Sequence, residues 1–131
     1  MKILITGGTG LVGHYLSRMF EQKEDDVIVL SHKNCDINDF YSVKGLFYET
    51  EPDIVFHLAA FTNVDGSEQN PIIAFKTNVG GTNNIAIMAE RLNSYIVYIS
   101  TDFVFDGRKK FPYTEDDIAF PVSVYGKTKL E

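Results

Sequence analysis

The chain has 131 residues, 44% of them hydrophobic, 13% aromatic and 23% charged, the composition of one ordinary globular domain. Its formal net charge of −6 argues against a general nucleic-acid binder or a peripheral membrane protein, since both favour a basic face. Cys35 is the single cysteine, so no internal disulfide can form; no run nears the ~20 apolar residues of a membrane span, and the apolar start breaks at Gly7, so the chain reads as cytoplasmic.

In chain order, Ile3-Leu4-Ile5 is followed by apolar runs at 27–30, 54–56 and 95–99. Short, nearly continuous runs of this kind suit strands buried on both faces of a parallel sheet. Between the first two, helical spacing puts Val12, Leu16, Met19 and Phe20 on one face; between the next two it does the same for Phe40, Val43, Leu46 and Phe47. A third helix starts at Asn70-Pro71, an N-cap followed by proline, and turns Phe75, Val79, Ala86 and Ala89 toward the sheet. Gly80 and Gly81 fall inside it at ~1 kcal/mol each relative to alanine. Close helix–sheet approach or a break in the helix would each account for them. Residues 102–122, rich in aspartate, proline and aromatics, read as a loop, and a new helix begins near Ser123. The order βαβαβαβ predicts an α/β fold, a Rossmann-type doubly wound parallel sheet with right-handed crossovers. The sheet reads as truncated, because the chain stops at Glu131 inside its last helix.

The segment Thr6-Gly7-Gly8-Thr9-Gly10-Leu11-Val12-Gly13 joins the first strand to the first helix. Gly7 suits a tight turn, Gly10 lets backbone N–H groups approach a pyrophosphate, and Gly13 lets the helix lie close to the strand. With Thr9, Leu11 and Val12, these residues form the expected phosphate site at a helix N-terminus, and residues 1–131 read as one NAD(P)-binding domain. A purely structural turn leaves three glycines at that period unexplained. An acidic residue some 20 positions further usually binds the adenosine ribose 2′-hydroxyl. Here Leu30 is followed by Ser31-His32-Lys33, and no carboxylate appears until Asp36. A hydroxyl, an imidazole and an ammonium suit a 2′-phosphate, which favours NADP(H) over NAD(H); for Lys33 alone, a solvated loop serves as well.

Tyr125 and Lys129 form a YxxxK pair, one helical turn apart on one face. An adjacent ammonium would lower the tyrosine pKa from ~10 toward working pH and let it pass a proton to a carbonyl oxygen. Thr101 closes the fourth strand, where open α/β sheets place their ligands, and its hydroxyl could bond the same oxygen. In isolation such a pair is more often a surface tyrosine beside a solvated lysine; the glycine turn reverses that balance. One cysteine and three dispersed histidines form no zinc-type site, and His14 and His57 read as packing or solvent residues.

These features resemble the extended short-chain dehydrogenase/reductases. Within them, residues 100–107 (STDFVFDG), 112–115 (PYTE), 124–131 (VYGKTKLE), 36–39 (DIND) and 57–65 (HLAAFTNVD) are similar to dTDP-4-dehydrorhamnose reductases over the whole chain. The resemblance implies Tyr125 as proton donor, Thr101 as its partner on the substrate carbonyl, and Lys129 as the residue that tunes Tyr125 and holds the nicotinamide ribose. It places Asp36 and Ile37 by the adenine, Ala59 and Ala60 along the cofactor, and Asn78 in support of the site. Thr62, Val64, Asp102 and Phe103 fall toward a nucleotide-sugar substrate. The implied reaction is NADPH- or NADH-dependent reduction of a 4-keto group in a dTDP-6-deoxyhexulose. Family members run to roughly twice this length, so the chain reads as the cofactor-binding half with little reductase activity of its own, and an open sheet edge would favour homo-oligomers. Two alternatives stand beside this: an epimerase or dehydratase, though Phe103 occupies the place where dehydratases carry an acid, and a non-catalytic NADP-binding regulatory subunit like that of methionine adenosyltransferase.

Overall fold

A computed structural model describes residues 1–23 and 25–131. Four parallel strands, β1 (Lys2–Thr6), β2 (Asp26–Val29), β3 (Ile54–His57) and β4 (Tyr95–Tyr98), form one sheet in the order β2-β1-β3-β4. Ile3 pairs with Val27 on one side and Ile54 on the other, and Ile54 pairs in turn with Tyr95. The chain therefore leaves β1 for one neighbour and returns to the other. A crevice opens at the carboxyl end of such a switch, where doubly wound folds bind ligands.

Helix α2 (Phe40–Thr50) buries Val43 and Phe47 against Leu4 and Val55, and α5 (Thr82–Leu92) adds Ile85, Met88 and Ala89 to the same core. Helix α1 (Leu11–Glu21) covers the opposite face, where Phe20 meets Phe56 at 5.2 Å between ring centroids. Its buried residues are Gly13 and Ser17, whereas Val12 and Met19 point outward, contrary to the apolar stripe expected from spacing. A Cβ on Gly13 would stand 2.5 Å from the Gly8 Cα, so the helix lies too close for anything but small residues there.

The third predicted helix starts where expected, at Asn70-Pro71, but its inward face is offset. A short helix, α3 (Val64–Gln69), capped by Asn63, precedes α4 (Pro71–Phe75), which runs through a π-helical stretch at Lys76–Gly81 into α5. The buried line is Ala74, Asn78, Gly81, Ile85 and Met88, while Phe75 and Ala86 are exposed. Ala89 is buried as expected, while at Phe75, Val79 and Ala86 the apolar pattern misled by one residue because the inward face carries a polar Asn78 and a glycine. A Cβ on Gly81 would press on the Ile37 side chain, while Gly80 has open space, so contact with the segment after β2, within an unbroken helix, accounts for one glycine of the pair.

After β4 the chain makes a 3-10 turn (Asp102–Val104) and an irregular segment, then α6 (Val124–Leu130), whose N-cap Ser123 accepts a hydrogen bond from the Gly126 N–H at 3.0 Å. The irregular segment is ordered by its own contacts. Phe105 stacks on Tyr113 at 4.2 Å, and the Tyr113 hydroxyl donates to Asp106 at 2.8 Å. No helix of the described residues is long and apolar enough to cross a membrane.

Candidate functional site

The crevice at the β1–β3 switch is a cleft of about 580 Å³. Its floor is the glycine turn. Gly7 takes φ +64°, a left-handed conformation that favours glycine, and a Cβ there would stand 2.7 Å from the Ala59 nitrogen. The Gly10 N–H closes the turn on the Gly7 carbonyl at 2.9 Å. Gly10 is also the N-cap of α1 and supplies no side-chain cap, so the first N–H groups of that helix stay open toward the cleft. Thr9, Leu11, Val12 and Gly13 complete this wall. Uncapped donors at a helix N-terminus carry partial positive charge and suit phosphate.

The opposite rim is formed by Ser31, His32 and Ile37 from the segment after β2, with Ala59, Ala60 and Thr62 from the segment after β3. Six further residues line the cleft: Thr6, Asn38 and Leu58, which belong to the segments quoted above, and Leu30, Cys35 and Thr77, which only tertiary packing identifies. No carboxylate is among the lining residues, and Asp36 flanks the rim 4.0 Å from His32.

Two of the expected contacts at the adenosine end lie outside this lining. Lys33 is exposed, and Asp36 is engaged with Asn38, accepting from its backbone N–H at 3.0 Å and its amide at 2.9 Å. The backbone hydrogen bond from Asn38 is the main reason the Asp36 carboxyl is held below the usual aspartate range. Asp36 therefore shapes the loop that presents Ile37 and Asn38. His32 stands 4.0 Å from the same carboxylate, and the Ser31 hydroxyl donates to Asn34 at 2.6 Å.

Asn78 does not face the cleft either. It is buried, accepts from the Phe61 N–H at 2.7 Å, and donates to the Phe61 carbonyl at 3.1 Å and to the Thr128 hydroxyl at 2.8 Å. It thus ties the segment after β3 to the middle of α6. Three other contacts seat that helix. Glu68 accepts from the Val124 N–H at 2.7 Å, Ser123 caps the first turn, and Gly126 packs so closely on the Phe103 carbonyl that a Cβ would overlap it.

This seating brings Tyr125 to Thr101. Thr101 is among the groups that act on the Tyr125 phenol, and the Phe103 ring meets Tyr125 edge-on at 5.7 Å. Thr101 also accepts from the Phe103 N–H at 3.2 Å and donates to the Asp102 carboxylate at 3.2 Å, which fixes its side chain. Val64 is half-buried at the start of α3, while Asp102 and Phe103 are exposed. Lys129 is only 7% exposed, and its ammonium lies 3.8 Å from the centroid of the Tyr98 ring. Burial lowers the Lys129 pKa to about 8.

The expectation that Lys129 depresses Tyr125 needs correction. Burial pushes the Tyr125 phenol above its ordinary value, outweighing the opposing effect of Thr101, with Tyr98 and Asp102 adding to the rise. His57, read from sequence as packing or solvent, is buried and doubly bonded, with Nδ1 2.7 Å from the Thr6 hydroxyl and Nε2 2.9 Å from that of Thr82.

A family model described as RmlD substrate binding domain matches residues 1–131. The chain belongs to this family. It is 35% identical over 137 residues to methionine adenosyltransferase 2 subunit beta of Rattus norvegicus, covering 99% of this chain and 41% of that one. A crystal structure of a dTDP-4-dehydrorhamnose reductase from Clostridium acetobutylicum ATCC 824 superposes with a TM-score of 0.97 at 42% identity, over 99% of this chain and 46% of that one. Another, from Bacillus anthracis str. Ames in complex with NADP, gives 0.95 at 32% identity, over 98% and 46%. The chain thus spans less than half the length of these RmlD relatives.

Proposed function

We propose that residues 1–131 form the dinucleotide-binding unit of a nucleotide-sugar reductase, acting on the 4-keto group of a dTDP-6-deoxyhexulose. The observation that carries the reading is the pairing, on one edge of the sheet, of a glycine-floored cleft free of carboxylates with the Thr101–Tyr125 hydroxyl pair. The residues fit a nicotinamide dinucleotide, because the close packing that Gly7 and Gly13 permit leaves the α1 amides uncapped at the cleft floor. In this reading the Gly7–Gly13 turn holds the pyrophosphate, and Ile37, Ala59 and Ala60 flank the adenosine and the middle of the cofactor. Ser31 and His32 on that rim, with the Asp36 carboxylate engaged by Asn38, support NADP(H) ahead of NAD(H).

When bound, the cofactor supplies the hydride. Tyr125, held as a neutral phenol by burial, is in the right form to give its proton to the substrate oxygen as that oxygen gains charge. Thr101, turning its one hydroxyl hydrogen from Asp102 to the substrate, donates to the same oxygen, and Lys129 stabilises the phenolate left behind. Thr62, Val64, Asp102 and Phe103 lie on the side where the sugar would sit. The test is a chimera in which these 131 residues replace the matching half of a dTDP-4-dehydrorhamnose reductase. Expected is NADPH-dependent reduction that falls at least ~100-fold in Tyr125→Phe, the scale of a lost general acid. An equally active Tyr125→Phe chimera contradicts the assignment. Dinucleotide binding with no reduction by the unmodified chimera supports instead a regulatory subunit, the reading favoured by 35% identity to the rat protein.

A further inference from the structure

Beneath the Tyr125 helix lies a set of buried polar side chains that the proposed chemistry does not use. Tyr98 stacks on His57, with ring centroids 5.6 Å apart and planes 17° from parallel, and the Lys129 ammonium sits 3.8 Å from the Tyr98 centroid. Among the described residues, that ammonium makes no salt bridge, so the face of Tyr98 is its electrostatic partner.

His57 is hydrogen-bonded at both ring nitrogens. The Ala59 N–H donates to the Thr6 hydroxyl at 3.2 Å, and that hydroxyl is hydrogen-bonded to His57 Nδ1 at 2.7 Å. On the other side of the ring, His57 Nε2 lies 2.9 Å from the Thr82 hydroxyl. The first donor, Ala59, lines the cleft, and Thr6 directly precedes Gly7. The chain of bonds therefore starts at the cleft and reaches His57, whose ring stacks on Tyr98 under Lys129.

We propose that Tyr98 and His57 are positioning residues that seat the Lys129 ammonium beneath α6, one helical turn along from Tyr125, with Thr6 and Thr82 locking His57 to the strand that carries the glycine turn. The inference rests on the reading of Tyr125 and Lys129 given above. It differs from a plain core role in what it demands of Tyr98: an aromatic face, whose hydroxyl is secondary.

Proton–carbon correlation spectra of the chain labelled with 13C-lysine test this directly. The Lys129 ε-methylene signal, assigned by its loss in Lys129→Arg, is expected upfield of the other lysines through the ring current of Tyr98. Tyr98→Phe retains that shift, Tyr98→Leu abolishes it, and His57→Gln reduces it by freeing the ring. A Lys129 signal within the envelope of the other lysines in the unmodified chain overturns the proposal even if Tyr98→Leu fails to fold. So does a shift that survives Tyr98→Leu. Titration of the same sample with NADPH keeps the two readings apart: absence of binding removes the dinucleotide reading and leaves the lysine seat standing on its own signal.

Discussion

At the first turn the groups that face the cleft are main-chain amides held in place by glycines, whereas at the last helix they are side chains held by other side chains. The first region follows from a handful of consecutive residues. Gly7 requires φ +64°, Gly13 allows α1 to touch Gly8, and the uncapped amides result from that path alone. The second draws on distant parts of the chain: Glu68 and Ser123 at the end of α6, Asn78 at its middle, Phe103 beneath Gly126 and Tyr98 beneath Lys129. A local backbone device is encoded by spacing, and a side-chain device is encoded by the whole fold.

The comparison breaks most sharply at Gly7. Gly7→Val combines a left-handed backbone with overlap on the Ala59 amide, so a loss of at least ~2 kcal/mol is expected in urea unfolding, together with loss of NADPH binding. Unchanged stability would mean that the turn relaxes without help from glycine.

His57 joins the two regions and gives them a common pH dependence. Burial, with a smaller contribution from the Lys129 charge, lowers its pKa from 6.5 to about 4. The folded chain therefore holds His57 neutral, and the unfolded chain binds its proton first as pH falls. Stability from this group is complete above pH 6.5 and declines as pH drops toward 4, by about 3 kcal/mol in all. Denaturant midpoints of the unmodified chain and His57→Gln should converge across that interval; parallel curves would place His57 in a wetter setting.

Asn78→Ala gives a smaller and more local effect. It leaves the Phe61 backbone groups and the Thr128 hydroxyl short of partners, worth about 1–3 kcal/mol. Amide hydrogen exchange should speed up in α6 and around Phe61 while Gly8 and Gly10 keep their protection. Equal acceleration at both ends would erase the distinction drawn between them.

The four parallel strands, the doubly wound order and the helix after Ser123 were all legible in the sequence, because continuous apolar runs and an N-cap serine report local burial and local hydrogen bonding. The inward faces of two helices were not. In α1 the close approach at Gly13 reverses the usual preference for large residues, and along α4 and α5 a buried asparagine occupies a place that apolar spacing assigns to a neighbour. The role of His57 was hidden for the same reason: its partners Thr6 and Thr82 lie 51 and 25 residues away. The direction of the Tyr125 shift also escaped the YxxxK spacing, which places Lys129 one turn away but says nothing about the Tyr98 ring that holds it.

The central claim is that the glycine-floored cleft holds a nicotinamide dinucleotide. Calorimetric titration of the purified chain with NADPH and then with NADH tests it most directly. Saturable binding at a single site, tighter for NADPH and lost in Gly7→Val, is the predicted result. No heat of binding with either dinucleotide from a folded chain would contradict the account.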